Sequence, residues 1–348
     1  MLWNNSTPSG PELLPFGLGV GGVIAVLSAE AGARRFSERF ELLARNIEGF
    51  VIGKRQAVRL ALICLFAEGH LLIEDVPGVA KTSLAKAIAR SIAGGVVKRI
   101  QFTPDLLPTD VTGVQVYDRR TQEFRFHKGP VFANVLLADE INRASPKTQS
   151  ALLEVMAERQ VTVDGTEYPV GSPFMCIATQ NPIEYHGTFV LPEAQVDRFM
   201  MMIRLGYPEH EDEMGVVELG VARWRPEDLE PVITFSEVKE MIMAARAVHV
   251  SRAVRDYVVT LVGRTRSAPE TQLGASPRAS VALAQAAQAH AASEGRGSVD
   301  EVDVQAVMLP VLQHRLVLTP DAELAGVKVD ELLARIRGRV ATPTALAG

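Results

Sequence analysis

The chain is 348 residues long, 47% apolar and 22% charged, ordinary values for a soluble protein with room for a good core and two domains; fibrous and disordered classes are excluded. A net charge of −5 and a pI near 5.9 argue against bulk electrostatic attraction to nucleic acid or anionic lipid, a local basic groove aside. The two cysteines, Cys64 and Cys176, sit in apolar runs and read as small buried hydrophobes in a reducing, cytoplasmic compartment; no Cys/His spacing makes a metal site.

In chain order, Pro15 to Leu27 is the one membrane-like segment, but it is about half the length of a spanning helix and rich in glycine, so stable membrane insertion is not expected. It also lacks a basic region before it, the first positive side chain being Arg34, and reads as part of a loosely ordered tail over residues 1–34. From Glu38 to Ile47 apolar residues recur at helical spacing. Phe50 to Lys54 breaks that pattern before a second helix, Gln56 to Phe66.

Leu71 to Glu74 is an apolar strand, followed by a tight turn and a helix opened by Lys81-Thr82, with Leu84 and Ile88 on one face. Backbone N–H groups left unpaired at such a turn, together with the positive end of the helix dipole, make a phosphate-binding loop. Lys81 would reach the β- and γ-phosphates of a nucleotide and the Thr82 hydroxyl would ligate magnesium. The strict glycine pattern fails at Asp75 and Ala80, leaving Gly78, Lys81 and Thr82. On this stretch alone, an ordinary strand-turn-helix with an exposed Lys-Thr pair is the competing reading.

Val96 to Phe102 then reads as a strand, TPDLLPTDVTG as irregular, and Val114–Tyr117 with Phe124–Phe126 as a β-hairpin about Asp118–Gln122. Val131 to Ala138 is a near-continuous apolar run, expected for a strand covered on both faces, and it ends in Asp139-Glu140. Asp139 can hold magnesium through water and Glu140 can polarise an attacking water. Ser145-Pro146 opens a helix to Glu158, and Asp164-Gly165 suits a type I′ turn between Val161–Val163 and Thr166–Tyr168. Phe174–Thr179, ending at Gln180-Asn181-Pro182, and Phe199–Leu205 are the last strands. Beyond Gly206 come amphipathic helices at Glu237–Val248, Ala253–Arg264, Pro277–Ala292 and Val299–Leu312, a separate helical domain. Strands alternating with helices place Lys81, Asp139 and Asn181 at the carboxyl edge of a parallel α/β sheet.

Six stretches give this chain a strong resemblance to the AAA+ ATPases and, within them, to the MoxR family: EDVPGVAKT at Glu74–Thr82, QFTPDLLPTDVTG at Gln101–Gly113, LLADEINRASPKTQSALLEVMAERQV at Leu136–Val161, ATQNP at Ala178–Pro182, LPEAQVDRF at Leu191–Phe199 and GASPRA at Gly274–Ala279. The resemblance runs from about Phe36 to Val340. It implies a five-stranded parallel core over 35–206 with helices on both faces and two inserted hairpins, an all-α lid over 207–340, and a short tail over 341–348. By position, Lys81 and Thr82 resemble Walker A, with Pro77, Gly78, Val79, Ala80 and Ser83 completing the loop. Asp139 and Glu140 resemble Walker B, Asn181 sensor 1, Arg198 the arginine finger and Arg278 sensor 2, and Val51 and Ile52 match the segment whose backbone meets adenine. The resemblance further implies ATP and Mg2+ as ligands and a hexameric ring that remodels or activates client proteins, commonly with a von Willebrand A-domain partner. Arg143 either acts across a subunit interface or pairs with a neighbouring carboxylate. A nucleic-acid motor is the alternative, since related branches with the same insertions act on DNA; the acidic charge and the lack of a DNA-binding domain favour a protein remodeller, with no nucleic-acid partner expected.

Overall fold

Apolar runs at Leu71, Val135 and Met175 form the middle of a parallel sheet, a short apolar strand at Met201 closes one edge, and a more polar fifth strand lies at the other. The computed structural model describes residues 20–76, 78–181 and 188–343, with side chains from residue 30 onward. The strands are β1 (Leu71–Glu74), β2 (Val97–Gln101), β3 (Val135–Asp139), β4 (Met175–Gln180) and β5 (Met201–Ile203). They lie in the order β5-β1-β4-β3-β2, every neighbouring pair parallel.

Alternate residues of each strand feed two cores, because side chains along a strand point to opposite faces. Leu71, Ile73, Leu137 and Ile177 pack with α1 (Val20–Glu48), α2 (Arg55–Phe66) and α3 (Lys81–Arg90). Leu72, Leu136, Ala138 and Ala178 pack with α4 (Pro146–Glu158). With both faces covered, β3 is buried throughout, which is why it reads as a continuous apolar run. β2 buries only Ile100 and carries Lys98 and Arg99 on an exposed edge, where charge discourages pairing with another chain.

Both hairpins form. Gly113–Asp118 pairs with Glu123–Lys128, and Gln160–Val163 with Thr166–Pro169, Asp164 and Gly165 taking φ of +49° and +76° as a type I′ turn requires. Three stretches differ from expectation. The strand expected over Val131–Ala138 starts only at Val135, because Pro130 offers no donor and the Val131 amide donates instead to Val111 O in a turn. TPDLLPTDVTG contains a short helix, Pro108–Thr112, closed by the Asp110 carboxylate accepting from the Leu107 amide at 2.9 Å. Residues 20–34, expected in a loose tail, form the first half of α1; Ala33 is buried there, and the helix is held further on by Phe36 and Phe40 against Phe66. Residues 1–19 and most of the expected C-terminal tail lie outside the described residues.

The second domain holds α5 (His210–Val221), α6 (Phe235–Ala247), α7 (Arg252–Arg266), α8 (Pro277–Ser293), α9 (Glu301–Leu312) and α10 (Val329–Arg339), with one small ribbon of Thr271–Leu273 against Val317–Leu318. Their starts are written in the sequence: Thr234 and Glu237 make a capping box before α6, Ser251 caps α7, and the Asp300 carboxylate accepts from Val302 and Asp303 ahead of α9. The lid seats on the core through Gln313, whose amide donates to Met202 O at 2.6 Å, and on α1 through Ser37, whose hydroxyl donates to Ser293 O at 2.7 Å.

Candidate functional site

At the carboxyl end of β1 the chain turns through Asp75, which is less a lost glycine than an anchor. Its carboxylate accepts from the amides of Leu205 and Gly206 at 2.6 Å each and from Val76 at 2.8 Å, tying the loop to the end of β5. Pro77 lies outside the described residues. Gly78 and Ala80 have φ of +88° and +65°, so the loop passes twice through the left-handed region, which costs a residue with a Cβ about 1–2 kcal/mol. Gly78 is exposed, and a Cβ added there would meet nothing within 4 Å, so it is the positive φ rather than crowding that favours glycine. No side chain caps α3; the orphan amides of its first turn, including that of Ser83, belong to the loop, while Val79 is buried beneath it. That is the donor set a polyphosphate needs. Lys81 Nζ lies between the ends of β1 and β4, donating to Asp75 O at 2.6 Å and Gln180 O at 3.4 Å.

The adjacent strand ends converge on the same place. Thr82 Oγ1 donates to Asp139 Oδ2 at 3.3 Å, so the two residues expected to serve magnesium stand side by side. Thr179, fully buried on β4, donates to Asp139 Oδ1 at 2.6 Å and accepts from the Glu140 amide at 2.9 Å. One hydroxyl thus fixes both acidic residues. Arg99 on β2 donates to Asp139 Oδ2 at 2.8 and 3.3 Å. Burial is the largest single influence on Asp139 and pushes its carboxyl up, but the Thr179, Arg99 and Thr82 donors together hold it below the usual carboxylate range. Glu140 sits at φ +56°, and its carboxylate accepts from Gln101 at 2.8 Å and Arg143 at 3.0 Å. Arg143 therefore pairs with a neighbouring carboxylate, one of its two expected readings. Asn181 is buried just past β4, its carbonyl accepting from the Asn142 side chain at 3.2 Å.

A nucleotide with magnesium suits these residues: a hydroxyl and an ionised carboxylate in contact, beside a lysine and the backbone amides of a loop that opens a helix. Val51 is a core residue whose amide is spent on Ile47 O, whereas no protein acceptor takes the Ile52 amide among the described residues. Of the pair matched to the adenine segment, Ile52 is thus the one with a free backbone donor. Arg198 and Arg278 stand apart. Arg198 is half-buried after the short helix Glu193–Val196, and Arg278 is exposed in the first turn of α8. Among the described residues, no hydrogen bond or ion pair joins either guanidinium to Lys81, Asp139, Glu140 or Asn181. Motif reading misses Thr179, Arg99 and Gln101. Thr179 had one usable signal, a polar residue at the end of the apolar run Phe174–Ala178; its pairing beside Asp139 comes only from the fold, where Ala178 pairs with Ala138.

Comparison with known proteins gives a consistent picture. Residues 70–201 match the ATPase family associated with various cellular activities (AAA), and residues 263–336 match the AAA lid domain. The chain is 46% identical over 298 residues to the uncharacterized protein YeaC of Bacillus subtilis, covering 86% of this chain and 93% of that protein. It is 42% identical over 308 residues to Chaperone MoxR1 of Mycobacterium tuberculosis (86% and 81%) and 33% identical over 318 residues to Protein MoxR of Paracoccus denitrificans (82% and 90%). A crystal structure from Cytophaga hutchinsonii, assigned as an ATPase, superposes with a TM-score of 0.84 at 36% identity, covering 92% of this chain and 99% of that one. Among the described residues no helix is long and apolar enough to cross a membrane.

Proposed function

The chain belongs to the MoxR-type AAA+ ATPases, and from that premise we propose that it hydrolyses Mg-ATP between neighbouring subunits of a hexameric ring to remodel client proteins. The AAA core with its lid is an ATP-hydrolysing architecture. The observation that carries the residue assignment is the convergence of Lys81, Thr82, Asp139, Glu140 and Asn181 at one sheet edge, with Thr179 bonded to both acidic residues. Lys81 and the amides of Gly78 to Ser83 hold the phosphates; Thr82 and Asp139 hold magnesium; Ile52 meets the adenine edge. The bound ion would neutralise charge developing between the β- and γ-phosphoryl oxygens.

Glu140 takes the role of orienting and polarising the attacking water, with Asn181 beside it. In the present arrangement its carboxylate is engaged by Gln101 and Arg143, so it must exchange those partners to reach water. Arg198, which among the described residues makes no bond to its own chain's cluster, serves the neighbouring subunit's γ-phosphate, and Arg278 serves its own. A remodelling role is supported by the likeness to Chaperone MoxR1, and a von Willebrand A-domain protein is the proposed partner.

The test is a pair of variants. Glu140→Gln should bind Mg-ATP and barely turn it over, because it loses the base but keeps the cradle; Lys81→Ala should lose both. Nucleotide affinity and steady-state turnover are compared, and undiminished hydrolysis by Glu140→Gln would remove the mechanism.

A further inference from the structure

The segment bearing Arg198 is held from the lid. Arg315, just past α9, is buried, with 2% of its side chain exposed, and all five of its guanidinium donors find oxygens. Nε donates to Asp197 Oδ1 at 2.7 Å, one Nη to Asp197 O at 3.1 Å and Phe199 O at 2.7 Å, and the other to Met200 O at 3.1 Å and to Val311 O. Four of the five acceptors therefore belong to residues 197–200, on either side of Arg198. His314 adds a ring nitrogen against Phe199 O at 3.0 Å. The second Asp197 oxygen accepts from Ser276 at 3.1 Å, the residue preceding α8, in whose first turn Arg278 stands.

We propose that Arg315 and Asp197 are positioning residues: a clamp by which a subunit's lid sets the place of Arg198 in the site of the neighbouring subunit. It rests on the reading of Arg198 as acting in trans. The geometry is specific to that task. Asp197 and Arg198 are adjacent, yet Asp197 is turned into the lid and bonded on both oxygens, while the Arg198 guanidinium has no partner within the described chain. A planar fork that grips one carboxylate and three carbonyls leaves the segment little freedom, which a lysine could not reproduce with three donors. Because Ser276 and Arg278 share one helix end, a lid shift driven by Arg278 meeting nucleotide in its own subunit also moves Asp197. Occupancy of one site would then adjust the finger offered to the next.

The experiment uses full-length rings carrying Asp197→Asn, which keeps the side chain's shape, or Arg315→Lys, each mixed with a second variant under conditions of shown subunit exchange. Alone, each clamp variant should assemble, bind ATP within about twofold of the parent and lose turnover roughly 10- to 100-fold, since a displacement near 1 Å at a reacting group can cost about 10²-fold. Mixed with Lys81→Ala, which supplies an intact finger and clamp, turnover should recover; mixed with Arg198→Ala, it should not. A clamp that only shaped its own nucleotide site would show no recovery with Lys81→Ala, and that result overturns the proposal, as does full turnover of both clamp variants in assembled rings. The control is Arg198→Ala with Lys81→Ala: failure there refutes the trans reading itself, and recovery there without recovery of the clamp variants refutes the clamp alone. If Arg315→Lys fails to assemble, Asp197→Asn decides.

Discussion

Replacing Thr179 by valine removes one hydroxyl and disturbs two catalytic neighbours at once. Valine nearly fills the same space, so the loss is in hydrogen bonding rather than cavity formation. The bond from Thr179 to the Asp139 carboxylate, at 2.6 Å and fully buried, is of a kind worth about 1.5–3 kcal/mol, and the bond accepted from the Glu140 amide about 1 kcal/mol. Asp139 keeps Arg99 and Thr82, which limits the damage, and a loss on the order of 3 kcal/mol in folding stability is expected. The catalytic effect follows from a comparison of magnitudes. Glu140 is held at φ +56° at a cost of about 1–2 kcal/mol, close to what the Thr179 bond returns, so without that bond the residue is free to leave its conformation. Turnover should fall by about 10²-fold, the scale of a 1 Å misplacement, while ATP affinity stays near that of the parent because Lys81 and the loop are untouched. Urea unfolding, ATPase turnover and nucleotide binding are the measurements, with Thr179→Ser as the control that restores both bonds. A Thr179→Val protein hydrolysing within twofold of the parent refutes the reasoning.

Arg99→Met should strengthen magnesium binding, because Arg99 competes for Asp139 Oδ2; its side chain is 49% exposed, so the pair is worth at most about 1 kcal/mol, a factor of about five in affinity. Thermal stabilisation by a non-hydrolysable ATP analogue, titrated with Mg2+, reads this directly, and an unchanged or weaker midpoint would sink it. His70 gives a pH dependence. Burial pushes it down to about 4 from 6.5, with the Met156 carbonyl at 3.1 Å only partly opposing, and its Nδ1 accepts from the Cys176 amide, so the neutral ring fits the fold. Its depressed value means that stability is complete above about pH 6.5 and drains away as pH falls toward 4, on the order of 3 kcal/mol in all. His70→Gln should show a shallower fall in urea midpoint between those pH values, and equal slopes in the two proteins would refute the assignment.

What could be read from the chain, and what could not, divides along a physical line. The strands were legible because a buried parallel strand must be apolar along its length, and Lys81, Asp139 and Asn181 because polar residues that end such runs collect at one edge. Helix α5 had no such signal: none of its residues is buried, so no apolar stripe marks HEDEMGVVELGV as helical. Thr179, Arg99 and Gln101 were hidden for another reason. Each is an unremarkable residue whose role depends on which strand lies beside it, and strand order and register are not local properties. The same holds most strongly at Asp197 and Arg198. In the sequence they are two adjacent charges, equally free to be solvated. In the fold the first is committed to a partner 118 residues away and the second, among the described residues, is left without one, so the first can hold the second in place for work on another subunit. The motif names the residue that reaches the reaction; the residues that aim it lie outside the motif, and only the packing of lid on core reveals them.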